Sequence, residues 1–381
     1  SFRFDEERFL LVEQVEEQPS ILHLHNVHAE YEDAPLEVRE EVLQRFARSM
    51  LPCRLPTTWP EAAPVIRARV SDRGTFELGA LRARARNIPF PSQPYIPLAE
   101  HLALALVIDL PDTIASVSWE ECERWKVSRA QALEVAVENL ARVSREDFER
   151  QGALFVSPWG DNYDAARLVL IEKLAELPVK GRLVALLPHR DHLLLTGSED
   201  AEGLAQLADR CEELASGPRY MGFFPVVLED GTWRPFRPVE GHPASERYRW
   251  LALQERARLY RLQKELLIEL HQRTGEQVSV ADFEVLRVGG LMLSHCTWSR
   301  TAPTLLPRAD VVLLGEPDAS GEEPLEVPWE VLQQHAGHLL VPEEELYPER
   351  YRVTAFPSPE LLEVLRSSQP RSGERKGEIL L

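Results

Sequence analysis

The amino-acid sequence predicts an α+β protein built from antiparallel sheets with helices packed on one face. The main observation is the stretch 154–229, where strand-like and helix-like segments follow the order βαββαβ of a ferredoxin-like module. The length of 381 residues exceeds what one hydrophobic core normally serves. Fractions of 44% hydrophobic and 28% charged residues are typical of globular chains. We therefore expect two or three packed modules, with the ferredoxin-like unit in the centre.

Proline-rich breaks suggest where these modules end. We expect an N-terminal ββα module with a proline-rich connector (1–98), a central α+β module (99–240), a C-terminal α+β module (241–366) and a disordered tail (367–381).

In the N-terminal module, the runs Phe9–Val15 and Ile21–Ala29 favour extended chain, and Pro35 is typical of a helix start. Residues 52–98 indicate a loop-heavy connector, because prolines interrupt their short strand-like runs.

The central module opens with the apolar run Leu102–Leu110, which predicts a buried strand. Ser128 and Gln131 are spaced as a capping box and predict a helix that reaches Val143. The βαββαβ unit comprises strand Leu154–Pro158, helix Tyr163–Leu177, strands Leu183–Leu187 and His192–Thr196, helix Ala201–Ala215 and strand Phe223–Glu229. Asp230-Gly231 predicts a hairpin turn into Thr232–Phe236.

The C-terminal module should begin with a long helix that is capped by Ser245 and ends before Gly275. A hairpin with a Gly289-Gly290 turn follows it. The remaining predicted elements are the hairpin strands Phe283–Val288 and Leu291–Trp298, strand Asp310–Leu314, a short helix from Pro328 to His335, and helix Pro359–Leu365 capped by Ser358.

Composition argues against several classes of function. The net charge of −19 repels phosphate backbones and no basic stripe offsets it, so we do not expect nucleic-acid binding. No apolar run is long enough for a membrane span or a signal peptide. Isolated cysteines suit a reducing compartment, so we expect a cytoplasmic protein. They are Cys53, Cys122, Cys211 and Cys296.

Several strings of this chain resemble the YtpQ-like proteins, a family of bacterial cytosolic proteins without a settled activity. The densest are 157–167 (SPWGDNYDAAR) and 184–191 (VALLPHRD). Others are Leu24-His25-Asn26, Trp125-Lys126-Val127-Ser128, Cys296-Thr297-Trp298-Ser299, 305–310 and 347–353. The chain departs from the family pattern at Lys126, where a glycine is usual. The resemblance spans nearly the whole chain but implies no mechanism.

The first candidate site combines Asp161, Asp164 and Arg167 with His189, Arg190 and Asp191. Two carboxylates could hold a cation while a histidine moves a proton. The alternative is structural. Asp161 could cap a helix, Asp164 and Arg167 could form a surface ion pair, and 188–191 could be an ordinary hairpin tip that need not lie near the helix start.

The second candidate is a metal site at His23 and His25, with His28 close by, because alternate residues of a strand share one face. A solvated strand face explains the same pattern. The third is the pair His295 and Cys296, which neighbours on a strand would hold on opposite faces. His335 and His338 suit a helix end.

We therefore expect a binding or regulatory protein whose cofactor, if any, is unassigned and whose partner is a protein or a small molecule. The alternative is a hydrolase, possibly metal-assisted, that uses Asp161, Asp164 and His189. The common glycine-rich nucleotide loops and the serine-hydrolase and zinc-protease motifs are absent from the sequence. Four tryptophans could line a partner groove or lie in the core: Trp119, Trp125, Trp159 and Trp298.

Overall fold

A computed structural model describes residues 2–6, 9–14, 21–49, 55–88, 94–111, 113–215, 220–288, 291–301, 303–315, 324–368 and 378–379. Its first segment is a three-stranded antiparallel sheet followed by two helices. The elements are β1 (Phe2–Asp5), β2 (Leu10–Glu13), β3 (Ile21–His23), α1 (His25–Asp33) and α2 (Arg39–Ser49). The extended run predicted over Ile21–Ala29 is therefore wrong beyond His23, because the chain turns into α1 there.

The second segment is a four-stranded antiparallel sheet in which β6 is central. Its elements are α3 (Trp59–Ala62), β4 (Ile66–Asp72), α4 (Arg73–Arg86), β5 (Ile96–Pro97), β6 (Leu102–Leu110), β7 (Thr113–Ser116), α5 (Trp119–Arg124) and α6 (Arg129–Val143). The predicted strand β6 and helix α6 are confirmed, and the Ser128 side chain accepts a hydrogen bond from the Gln131 amide, as a cap should.

The prediction of a loop-heavy connector over residues 52–98 is wrong. Strand β4 pairs with β6 along its whole length, from Ile66 opposite Ile108 to Asp72 opposite Leu102. Helix α4 follows at once, and the Asp72 carboxylate caps it by accepting the Thr75 amide hydrogen at 2.9 Å. This pairing joins residues on both sides of the boundary expected at residue 98.

The third segment contains a six-stranded antiparallel sheet in the order β13–β12–β10–β11–β9–β8. Its elements are β8 (Glu149–Gln151), β9 (Leu154–Val156), a 3-10 helix (Ala165–Val169), α7 (Ile171–Ala175), β10 (Leu183–His189), β11 (His192–Gly197), α8 (Ala201–Leu214), β12 (Val226–Glu229) and β13 (Thr232–Pro235). The predicted β–α–β–β–α–β order is present, with a 3-10 helix and a short α-helix where one helix was predicted.

The α+β class is confirmed, whereas the ferredoxin-like arrangement is not. The hairpin strands β10 and β11 lie in the middle of the sheet, and the helices cover opposite faces instead of one. Val184 and Leu186 pack with α8, while their neighbours Ala185 and Leu187 pack with the 3-10 helix and the second sheet. Successive strand residues point to opposite faces, so an unbroken apolar run requires a core on both sides.

The fourth segment combines one long helix with two mixed sheets, in the orders β14–β17–β21–β20 and β19–β18–β16–β15–β22. The pairs β14–β17 and β16–β18 are parallel, contrary to the expected all-antiparallel pairing. The elements are α9 (Ser245–Thr274), β14 (Ser279–Val280), β15 (Glu284–Val288), β16 (Leu291–Trp298), β17 (Thr304–Pro307), β18 (Val311–Leu314), β19 (Leu325–Pro328), α10 (Trp329–Ala336), a 3-10 turn (Gly337–Leu339), β20 (Val341–Pro342), β21 (Arg350–Val353), α11 (Pro359–Ser367) and β22 (Glu378–Ile379). The predicted Gly289-Gly290 turn and residues 369–377 and 380–381 of the predicted tail lie outside the described residues. The prediction of a disordered tail is wrong at Glu378–Ile379, because β22 pairs with β15 there.

Helix α9 joins the modules, because different faces of it enter different cores. Leu251 packs with the α8 side of the six-stranded sheet, Leu259 packs with α4, and Tyr260 packs with the C-terminal sheets. At 1.5 Å per residue, 30 residues span about 45 Å, enough to reach all three. Gly275 ends the helix with φ +77, as predicted.

Gly203 allows α8 to lie directly on β11, which gives a test of this packing. A Cβ atom at Gly203 would overlap the Thr196 hydroxyl and lie 3.3 Å from the Ala153 carbonyl oxygen. We expect Gly203→Ala to lower the free energy of unfolding by about 1–3 kcal/mol, because the helix must move outward. Urea denaturation measures this, and the exposed α8 substitution Glu213→Ala should change it by no more than about 0.5 kcal/mol. Equal effects of the two substitutions would contradict this packing.

Candidate functional site

Residues 157–167 form a tight loop between β9 and the 3-10 helix, together with the start of that helix. Gly160 and Asn162 adopt left-handed conformations, with φ +60 and +68, which turn the chain back toward the sheet. The Asp161 Oδ1 accepts the Tyr163 amide hydrogen at 3.0 Å, and the Asp164 Oδ2 accepts the Asp161 amide hydrogen at 3.2 Å. Both carboxylates therefore shape the loop.

Arg167 is the centre of this loop and is completely buried. Its Nη1 and Nη2 donate to the Asp161 Oδ1 and Oδ2 at 2.8 and 2.7 Å, and its Nε donates to the Ser144 Oγ at 2.7 Å. The guanidinium carbon lies 4.0 Å from the centre of the Trp159 ring. A bidentate carboxylate and an aromatic face together satisfy a buried guanidinium.

The ion pair predicted between Asp164 and Arg167 on a surface is therefore wrong. Both residues are fully buried, and the carboxylate that pairs with Arg167 is Asp161. The helix that was expected to place them three apart on one solvated face is a buried 3-10 segment instead.

Asp161 remains ionised through this pairing. Burial alone would raise the pKa of Asp161, but the hydrogen bonds and positive charge of Arg167 outweigh it and hold that pKa below its ordinary value. The carboxylate is engaged at both oxygens, so it is a poor candidate for a free metal ligand or general base.

The hairpin tip between β10 and β11 lies against this loop. The Ala165 amide donates to the Arg190 carbonyl oxygen at 3.0 Å, so the two densest strings of the sequence meet. The hairpin-tip residues His189, Arg190 and Asp191 thus lie near Asp164 at one end of the sheet, a proximity that the sequence alone does not establish. His189 Nδ1 accepts the Asp191 amide hydrogen at 3.2 Å and also lies 3.4 Å from the Asp191 Oδ2.

His192 belongs to the same cluster and was missed from the sequence. Its ring lies 5.6 Å from the His189 ring, edge to face. Burial lowers the pKa of His192, the charge of His189 lowers it further, and the carboxylates of Asp191 and Asp164 oppose them. The imidazole is therefore neutral near neutral pH. The signal in the sequence is the string PHRDH at 188–192, whose last histidine begins the predicted strand His192–Thr196.

Buried polar atoms without a hydrogen-bond partner in this cluster include the Asp164 Oδ1, the His192 Nδ1 and the Trp159 Nε1. Buried polar atoms in folded proteins are nearly always satisfied by protein, water or a ligand. Unpartnered atoms concentrated around one loop and one hairpin tip therefore mark this place as a candidate binding site.

The other candidate sites fare differently. Strand β3 ends at His23 and His25 begins α1, so the two histidines do not share one strand. Their side chains lie outside the described residues. Within the described ranges, no group of three or more His, Cys, Asp or Glu side chains could hold a metal ion.

His295 and Cys296 lie on strand β16, as predicted. The His295 Nε2 is 3.2 Å from the Glu284 Oε2, while the Cys296 thiol donates to the Pro307 carbonyl oxygen on the other face. Burial raises the pKa of Cys296 to about 12, so this thiol is not a nucleophile near neutral pH.

The four tryptophans that could line a partner groove differ in their burial. Trp125 and Trp298 are buried, whereas Trp159 and Trp119 are half-buried and each stacks against an arginine, Arg167 and Arg129 respectively. None of the helices among the described residues is long and apolar enough to span a bilayer.

A scan against protein-family models and searches of curated proteins and solved structures find no match to this chain. The resemblance to the YtpQ-like family therefore stays a prediction.

The pairing of Asp161 with Arg167 should contribute strongly to stability. We expect Asp161→Asn to lower the free energy of unfolding by about 3 kcal/mol, because it leaves a buried guanidinium without its counter-charge. Urea denaturation followed by circular dichroism measures this. The matched control is Asp209→Asn, which removes an exposed partner of Arg247 and should cost at most about 1 kcal/mol. Similar losses of unfolding free energy in the two variants would contradict a stabilising pair between Asp161 and Arg167.

The same pair should make stability depend on pH in a defined direction. The pKa of Asp161 is lower in the folded than in the unfolded chain, where an ordinary value of 3.8 applies. Its stabilisation is therefore present above that value and disappears as the pH falls through the lower, folded value. We expect the stability difference between wild type and Asp161→Asn to be constant from neutral pH to about pH 5 and to shrink below pH 4. A difference that grows on acidification would contradict this assignment.

Proposed function

We propose that this chain is a binding protein, and that it binds a small ligand with an amine or guanidine group at the site formed by loop 157–167 and the hairpin tip 189–192. The observation that carries the proposal is the Asp164 carboxylate, which is fully buried and has one oxygen without a partner.

The ligand class follows from the chemistry of these atoms. A carboxylate can only accept hydrogen bonds while it is ionised, so the Asp164 Oδ1 suits a donor, and a cationic donor best. Arg167 does not fill this role, because its Nε donates to Ser144 and its Nη1 and Nη2 donate to Asp161. The neutral imidazole of His192 adds a polar group beside Asp164 that does not repel a cation. The net charge of −19 also attracts cations at long range.

The hydrolase alternative has less support. It requires Asp161, Asp164 and His189 to act on a substrate or a metal ion. Both oxygens of Asp161 are held by Arg167, and the His189 Nδ1 accepts a backbone hydrogen. Asp164 would be left to act with His192, and no nucleophile lies among the contacts described for them. A binding role requires only that Asp164 and His192 be available to the ligand.

We expect n-butylamine or butylguanidine, at millimolar concentration, to raise the melting temperature of the wild-type chain, and butyrate to have no such effect. Asp164→Asn should abolish the response, because the amide loses the charge yet keeps an oxygen for the Asp161 amide hydrogen. His192→Gln should weaken the response. The control is Asp230→Asn in the exposed β12–β13 turn, where asparagine tolerates the φ of +48.

Thermal shift and titration calorimetry measure these effects, with circular dichroism to verify the fold of each variant. A folded Asp164→Asn protein that responds like wild type would refute the site. Hydrolysis of p-nitrophenyl acetate or phosphate that depends on added Mn²⁺ or Zn²⁺ and is lost in Asp164→Asn would favour the hydrolase instead.

A further inference from the structure

A small pocket lies in the C-terminal part of the chain, among residues 298–303 and 353–356. It has a volume of about 110 Å³, and its lining includes Trp298, Ser299, Arg300, Thr301, Thr354 and Phe356. The pocket begins where strand β16 ends, and β16 runs parallel to β18, which ends beside it at Leu314. The carboxyl ends of adjacent parallel strands are a common location for ligands, because the chain leaves the sheet there.

The guanidinium of Arg300 is held in place at this pocket from two sides. Its central carbon lies 4.9 Å from the centre of the Phe356 ring. On the other side, its Nε lies against Gly315, where a Cβ atom would be only 2.8 Å away. Gly315 has φ +89 and donates its amide hydrogen to the Trp298 carbonyl oxygen at 3.0 Å. Arg300 is therefore oriented before any ligand arrives, which lowers the entropic cost of binding.

Among the described residues, Arg300 has neither a carboxylate within ion-pair distance nor a hydrogen-bond acceptor. Two buried arginines, in contrast, have hydrogen-bond acceptors: Arg167 donates to Asp161, and Arg350 donates to Gln263 and to backbone carbonyl oxygens. The hydroxyls of Ser299 and Thr301 lie 3.0 Å apart beside Arg300. A forked guanidinium next to two hydroxyl groups is the donor set that binds phosphate and carboxylate groups.

We propose that this pocket binds a small oxyanion, a phosphate or carboxylate group, through Arg300. The small volume of the pocket, about 110 Å³, agrees with this class. A phosphate or a short carboxylate fits this space, whereas a drug-sized molecule requires a pocket of about 300 Å³ or more. The negative charge of the whole chain opposes anions at long range, so the binding depends on the local guanidinium.

The test is titration of inorganic phosphate and, separately, of acetate into the full chain at constant ionic strength, by calorimetry or by chemical-shift changes. We expect millimolar binding of at least one of them, and the stronger of the two identifies the oxyanion. Arg300→Ala should weaken binding about tenfold or more, and Arg300→Lys should weaken it less, because lysine keeps the charge and loses the fork. Gly315→Ala should also weaken binding, since the new Cβ displaces the Arg300 side chain.

The matched control is Arg287→Ala, which removes an exposed arginine from the neighbouring strand β15 and should change the affinity less than about twofold. Asp164→Asn should also retain the binding, so this test stands apart from that of the amine site. Absence of binding of both anions to the wild-type chain, or equal binding to Arg300→Ala, would overturn the proposal.

Discussion

A guanidinium group removed from water must regain its hydrogen bonds and its counter-charge within the protein, and this constraint on Arg167 shapes the central module. Asp161 provides both carboxylate oxygens, Ser144 at the end of α6 provides a hydroxyl, and Trp159 covers one face. These partners come from two separate parts of the chain, the end of α6 and the loop itself. The loop 157–167 therefore takes one conformation, which in turn brings Asp164 against the hairpin tip.

Arg350 shows a second solution to the same constraint, without a carboxylate. Its Nε donates to the Gln263 Oε1 at 2.6 Å, and its terminal nitrogens donate to the carbonyl oxygens of Ala281, Leu305 and Tyr260. Burial lowers the pKa of Arg350 to about 10, which leaves the group charged at neutral pH. This arginine ties α9 to the C-terminal sheets, as Arg167 ties loop 157–167 to the end of α6. Arg300 differs from both, because it is exposed and its donors have no partner within the part of the chain that the structure describes.

The elements with strong local signals were predictable. Leu102–Leu110 is a strand, Ser128 caps α6 and Gly275 ends α9, because apolar runs, caps and left-handed glycines act within a few residues of the chain. Helix α4 is not predicted, because its apolar residues Phe76, Leu78 and Leu81 do not follow one helical face: Leu78 and Leu81 pack with α9, and Phe76 packs with β6. The helices of the six-stranded sheet were assigned to one face, although the apolar runs of β10 and β11 already require two.

The sequence by itself determined which residues are candidates, because the loop 157–167 and the tip 188–191 contain most of the polar groups between buried strands. Only the tertiary structure decided how they are used. Asp161 and Arg167 pair through a loop, His192 joins from the next strand, and Asp164 is buried with one free oxygen. The physical reason is that partner choice depends on distances in space and on burial, and neither quantity is set by spacing along the chain.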